Sequence, residues 1–326
     1  MPASLPSKVV VRPLVERDLA AADRVIRLAF GTFLGLPDPL RFMGDAEYAR
    51  TRWKADPSAV LAAEENGRFL GSNFASNWGS FGFFGPLTVD PEYWGRGVAQ
   101  HLVAPTMDIF RRWGSRHLGL YTFPQSAKHV TLYQKFGFWP RDLVAIMVRE
   151  VGDAPAQSLP DTQLFSGAPS EERPGLLAAC REVSDANFAG LDLEREIRAV
   201  CEQKLGDTIL VWDGAQLAAF AVCHVGARTE AGTGVCYVKF AAVRPSPGAG
   251  SRAGANFARL LDAVDSFART AGAHTIQAGV NLARREAFRE MFARGFRTQT
   301  QGVAMESGGP GEGYNRAGVY ILDDWR

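Results

Sequence analysis

The chain has 326 residues, of which 46% are hydrophobic and 22% charged, and its formal net charge at pH 7 is +1. A balance so close to neutral excludes a nucleic-acid binder and a polybasic membrane-surface protein, since both need a pronounced positive face. No run approaches the roughly 20 apolar residues that span a bilayer, and the start lacks a basic region followed by an apolar one, so a soluble cytoplasmic protein of two domains is expected.

Residues 8–13 alternate like a first strand, and residues 17–30 repeat apolar side chains at helical spacing, with Leu19, Val25, Ile26, Ala29 and Phe30 on one side. A loop over 31–45 and a second helix over 45–54 come next. Residues 59–64 and 69–77 form a hairpin about Asn66-Gly67, a dipeptide that suits a two-residue turn with both residues at positive φ. The next strand, 81–89, contains Gly85-Pro86. A proline there deletes a ladder donor, which counts against a central strand at that point.

Asp90-Pro91 stops this strand, and Gly95-Arg96-Gly97-Val98-Ala99 turns the chain into a helix that starts near Val98. The N–H groups at such a helix start lack intrahelical partners, and the macrodipole adds roughly half a positive charge. An anionic phosphate can therefore sit there without a dedicated side chain; the competing reading is an ordinary strand-to-helix connection. The loop lacks the third glycine of a dinucleotide fingerprint and the Gly-Lys-Ser/Thr of a P-loop. The helix is expected to reach about Gly114, with Pro105 kinking it. A strand over 117–123 succeeds it. Then comes a helix with Ser126 as N-cap, Lys135 in its last turn and Gly137 as its stop, and a strand over 143–150 closes the domain.

The loop resembles the acetyl-coenzyme A (acetyl-CoA) loop of the GCN5-related N-acetyltransferases (GNAT), with the pattern Gln/Arg-x-x-Gly-x-Gly/Ala falling on Trp94 to Ala99 and Trp94 standing where the family usually has Gln or Arg. A second segment is similar to that family's Asn-x-x-x-x-x-Leu-Tyr-x-Lys-x-Gly-Phe, here Ser126, Leu132, Tyr133, Lys135, Gly137 and Phe138, with Ser126 replacing the usual Asn. The resemblance implies an α/β fold with central mixed sheets whose bulged strand admits the pantetheine arm at Gly85-Pro86. It assigns Leu87, Thr88, Val89, Trp94, Gly95, Arg96, Gly97, Val98, Ala99 and Ser126 to cofactor binding, and Tyr133 to protonating the departing thiolate. The reading from the residue alone is that Tyr133 is a half-buried aromatic. Phe33, Leu34, Leu36, Phe42, Met43 and Trp53 could line an apolar acceptor pocket or pack in the core. Asp90 and Glu92 are candidates for the base or for helix caps, with an ordered water as the alternative base.

Residues 151–161 read as a linker, and the chain beyond them looks like a second copy. Val243-Arg244-Pro245 matches Val89-Asp90-Pro91 and Gly295-Phe296 matches Gly137-Phe138, while the order of hairpin, long strand, glycine loop, helix, strand and helix repeats. The copy is worn: Asn281 supplies the asparagine missing from the first half, but Phe288 and Met291 hold the tyrosine's candidate positions. Neither can give a proton. Cys180, Cys201, Cys223 and Cys236 form no Cys-x-x-Cys pair, and His101, His117, His129, His224 and His274 show no ligand spacing, so no metal is expected. The expectation is two tandem GNAT-like domains, 1–152 catalytic and 160–326 degenerate. The first transfers acetyl from acetyl-CoA to a primary amine of a small molecule or peptide, and a homodimer is allowed. The rival is a non-enzymatic acyl-CoA sensor or scaffold.

Overall fold

A computed structural model describes residues 9–152, 159–246, 251–307 and 313–326. Strand β1 (Val10–Pro13) leads into helix α1 (Leu19–Phe33) and then α2 (Tyr48–Ala55). The buried stripe of α1 is Leu19, Ala22, Val25, Ile26 and Ala29, the i, i+3, i+4 spacing of a helix lying on a sheet. Strands β2 (Val60–Glu65) and β3 (Arg68–Trp78) pair antiparallel across Asn66 and Gly67, whose φ of 52° and 77° are those of the expected turn. Period-2 alternation then serves both faces of the sheet. Val60, Ala62 and Phe74 pack under α1 and α2, whereas Leu61, Ala63 and Leu70 face a second core.

That second core is covered by α3 (Val98–Trp113), which stays helical through Pro105, and by α4 (Ala127–Gln134). The strand expected over 81–89 is divided in two, β4 (Phe81–Phe84) and β5 (Thr88–Val89), with a cis Gly85–Pro86 peptide between them. β6 (His117–Thr122) and β7 (Trp139–Glu150) complete the first half. The second half runs β8 (Thr162–Leu164), α5 (Arg173–Asn187), α6 (Glu194–Gln203), β9 (Gly206–Asp213), β10 (Gln216–Gly226), β11 (Gly232–Val243), α7 (Ser251–Thr270), β12 (Thr275–Asn281), α8 (Arg285–Ala293), β13 (Arg297–Ser307) and β14 (Ile321–Leu322).

The sheet order is β1-β2-β3-β4-β6-β13-β7-β12-β11-β10-β9-β8. Strand β7 does not close its own half, as residues 143–150 were expected to. It lies between β12 and β13 of the second half, antiparallel to both, while β13 fills the place beside β6. Each half thus lends its closing strand to the other, and the two sheets are one. A backbone edge accepts any strand of the right direction, so the order of strands along the chain does not name the partner. A hydrophobic core crosses the same seam, joining Trp78, Phe81 and Phe83 to Leu177, Val183, Leu191, Phe220 and Phe240. Most of the proposed linker lies outside the described residues, as does the centre of the second glycine loop, residues 247–250. No described helix is long and apolar enough to cross a membrane.

Candidate active site

Strands β4 and β6 run parallel and pair from Phe81 with His117 to Phe83 with Gly119, and there they part. The chain leaves β6 at Gly85, whose N–H donates to the Phe74 carbonyl at 2.8 Å, and resumes against β3 through Ser72 with Thr88 and Gly71 with Val89. A glycine is required at position 71, because a Cβ there would lie 2.2 Å from the Thr88 carbonyl oxygen. The Asp90 N–H donates to the Leu70 carbonyl, so by alternation along the β3 ladder Thr88 turns its N–H to β3, whereas those of Leu87 and Val89 turn away and meet no acceptor among the described residues. Of the three strand residues expected at the cofactor, Leu87 and Val89 therefore present free donors, and Leu87 is the one next to the Gly85–Pro86 break.

Beyond β5, Asp90 accepts from the Glu92 N–H at 3.1 Å and caps a short turn, and the exposed Glu92 pairs with Arg68 at 2.6 Å. Both candidates for the base are thus occupied in shaping the loop. Gly95 and Gly97 each have φ of 81°, a left-handed conformation open to glycine at little cost. A Cβ at either would meet nothing within 4 Å, so conformation rather than crowding within the chain demands glycine. Gly97 caps α3 without any side-chain bond, and no acceptor among the described residues meets the N–H groups of Gly95, Gly97, Val98 or Ala99. Four exposed or helix-leading donors at a dipole's positive end suit a diphosphate.

The side chains around the loop brace it. Trp94 donates its indole N–H to the Val89 carbonyl at 2.7 Å, and Lys128 at the start of α4 lies 5.4 Å from its ring centre. The residue that departs from the family pattern thus ties loop, strand and α4 together. Arg96 and Arg68 both lie on the Tyr93 ring, at 4.8 and 4.9 Å, keeping two cations beside the loop.

Tyr133, in the last turn of α4, is 8% exposed and meets Phe84 edge-on at 5.8 Å, next to where β4 leaves β6. Burial pushes its phenol well above the ordinary tyrosine value. Its hydroxyl has no hydrogen-bond partner among the described residues, yet it is not among the fully enclosed, unsatisfied oxygens. The phenol therefore keeps its proton at neutral pH and has it free to give. Ser126 occupies the N-cap position, but its side chain makes no capping bond. Gly137, with φ of 84°, lies two residues past the C-cap Lys135, and the chain closes by Phe138 N–H to Tyr133 carbonyl at 3.2 Å.

On the α1 side the expected apolar lining divides. Phe42 stacks on Phe30 at 5.3 Å, and Phe33 packs on Phe123 and His129 at 5.0 and 5.2 Å. Leu34 and Leu36 are exposed, whereas Met43 and Trp53 pack on the core, with the Trp53 indole donating to the Leu14 carbonyl at 3.0 Å. Sequence reasoning missed Phe123 and the neighbouring Tyr121, which only the parting of β4 and β6 brings to this wall. It also missed what the second half contributes. The turn from β10 to β11 docks on residues 45–47 through Glu47 N–H to Thr229 carbonyl at 2.8 Å, and the Arg326 main chain comes 3.3 Å from where a Cβ of Gly85 would lie.

The second copy is closed at the corresponding place. Strands β11 and β12 pair in parallel from Val235 with Thr275 to Val238 with Ala278 and then part, but β14 pairs with Ala241 and Ala242 in the space between. Asp324, just past β14, packs so tightly that a Cβ on Gly279 would lie 2.3 Å from its Cβ. Met291 is wholly buried, Phe288 packs on the core, and Asn281 caps its own turn through the Ala283 N–H at 3.0 Å.

Residues 31–138 match the family model "Acetyltransferase (GNAT) family". No curated protein matches the chain. Among solved structures, a Pyrococcus horikoshii protein aligns with a TM-score of 0.68 at 14% identity over 97% of this chain and 95% of its own. A GCN5-related N-acetyltransferase from Sphaerobacter thermophilus aligns with a TM-score of 0.57 at 16% identity over 93% and 96%. A tandem GNAT protein from the clavulanic acid biosynthesis pathway aligns with a TM-score of 0.54 at 12% identity over 93% and 99%. At these identities the likeness is one of fold.

Proposed function

The chain is a tandem GNAT-fold protein whose first half carries the acetyltransferase-family domain, and on that premise we propose that it transfers an acetyl group from acetyl-CoA to a primary amine. The observation that carries this reading is the set of unmet N–H groups at Gly95, Gly97, Val98 and Ala99, beside a strand parting that has a protonated Tyr133 at its mouth. The thioester supplies the activated acetyl group. The loop amides hold the diphosphate, and the braced Trp94 keeps the loop against the end of β5. In this reading the Leu87 N–H meets the thioester carbonyl, where a fixed donor stabilises the oxyanion of the tetrahedral intermediate. Tyr133, kept protonated at neutral pH by burial, gives its proton to the leaving sulfur as the C–S bond breaks, and the proton released by the attacking amine returns to the phenol through water. The acceptor enters on the side of Phe33, Phe42 and Phe123, as an amine carried on an apolar body. Mass spectrometry of the purified protein with acetyl-CoA and pooled amines tests the proposal. A product heavier by one acetyl group, made by the wild type and not by Tyr133→Phe, is expected; acetyl-CoA binding with no product from any amine would favour a sensor instead.

A further inference from the structure

Both polar groups of Gly85 are held. Its N–H belongs to β3, while its carbonyl accepts from Nη1 of Arg52, a side chain of α2 that is 4% exposed. The remaining fork of Arg52 is gripped by a residue of the second half. Glu230, in the turn between β10 and β11, takes Nε at 3.0 Å on one oxygen and Nη2 at 2.8 Å on the other, and its side chain is wholly enclosed. A bidentate pair of this kind fixes a guanidinium in plane and direction as a lysine cannot. Lys239 steadies Glu230 at 2.7 Å and is itself balanced by Glu196 at 2.8 Å. The turn that carries Glu230 is anchored to the first half by Asp45, which takes the Thr233 N–H at 2.8 Å and hydroxyl at 2.6 Å.

We infer that Arg52 and Glu230 form a positioning clamp across the two halves, which orients the Gly85 peptide and so aims the Leu87 N–H at the thioester carbonyl. The proposal rests on the acetyl transfer argued above. It gives the degenerate second copy a part in the chemistry of the first: no group of Glu230 touches substrate, yet the donor two residues beyond Gly85 is set through it. Burial alone would push the Glu230 carboxyl up, but Arg52 and Lys239 outweigh burial and hold it below the usual carboxylate range, so the grip persists wherever the protein is folded near neutral pH.

The test replaces both members of the pair, Arg52→Met with Glu230→Met. This variant leaves no charge unbalanced, because Lys239 keeps Glu196, and replacing a buried ion pair by apolar side chains of similar size is commonly neutral or stabilising. It should melt at or above the wild-type temperature and bind coenzyme A with unchanged affinity, because the loop amides are untouched. With an amine found in the pooled screen, kcat should fall by about 10²-fold, the usual cost of a donor displaced by roughly 1 Å. The carbonyl stretch of bound [1-13C]acetyl-CoA, lowered in the wild type by the Leu87 N–H, should return toward its value in water. Arg52→Lys, with Glu230 intact, should keep the charge balance and still show the slow rate. A folded double variant with wild-type kcat and carbonyl frequency would overturn the clamp. So would a matching loss of coenzyme A affinity, since that would mean the pair supports the loop as a whole. If the wild type acetylates no amine the proposed reaction falls, and the carbonyl frequency still decides the clamp.

Discussion

Residues 1–155 expressed alone should fail to form the native first half, because the sheet does not close within them. Strand β7 would lose seven paired positions to β12 on one side and eight to β13 on the other, and β6 would lose five to β13. At about 1 kcal/mol net for each backbone bond, with roughly one bond per pair, the loss is on the order of 20 kcal/mol. A domain's whole stability is about 5–15 kcal/mol. Trp78, Phe81 and Phe83 would also be stripped of the second-half side chains that cover them, leaving an exposed apolar patch. The fragment should be recovered mainly as aggregate and show no cooperative melt by circular dichroism. Co-expression with residues 156–326 as a separate chain should restore a soluble complex, because the exchanged strands need no covalent link to pair. A soluble, monomeric 1–155 that melts cooperatively and binds coenzyme A would refute this, since β7 would then have folded back beside its own β6.

Three further outcomes are expected. Gly97→Pro should abolish coenzyme A binding by calorimetry, because it deletes one loop donor and forces φ near −65° where the fold needs 81°; wild-type affinity would show that the diphosphate lies elsewhere. Tyr133→Phe should leave coenzyme A affinity and melting temperature unchanged and lower kcat by about 10²- to 10⁴-fold, the usual range for a lost general acid. His224, which burial and Lys239 hold down at about 4, is neutral in the fold and takes up a proton on unfolding below about 6.5. Stability should therefore fall as pH drops from about 6.5 towards 4, by about 3 kcal/mol at the lower end. Chemical denaturation of His224→Gln should show a shallower decline over that window than the wild type.

What the sequence determined by itself is local. Asn66-Gly67 specifies its turn because both residues accept positive φ, and the helix start after Gly97 is legible because a glycine cap and an apolar stripe from Val98 act within a few residues. The segment from Ser126 to Phe138 could be read as a helix and its stop for the same reason, whereas the contact of Tyr133 with Phe84 is made only by the fold. Other features were decided by tertiary structure. Alternation says that β7 and β13 are strands with one face in and one face out, but a backbone edge carries no address, and nothing in residues 139–150 names β12 rather than β6 as neighbour. Arg52 is one arginine among several in the first half until the fold brings Glu230, 178 positions away, against it inside a core where a charge must be matched. Only packing shows that the segment from Ile321 to Arg326 fills the second copy's parting and lies against Gly85 of the first. Turns and caps act over a few residues and leave a mark in sequence, whereas an exchanged strand or a buried pair depends on which surfaces meet once both halves have folded.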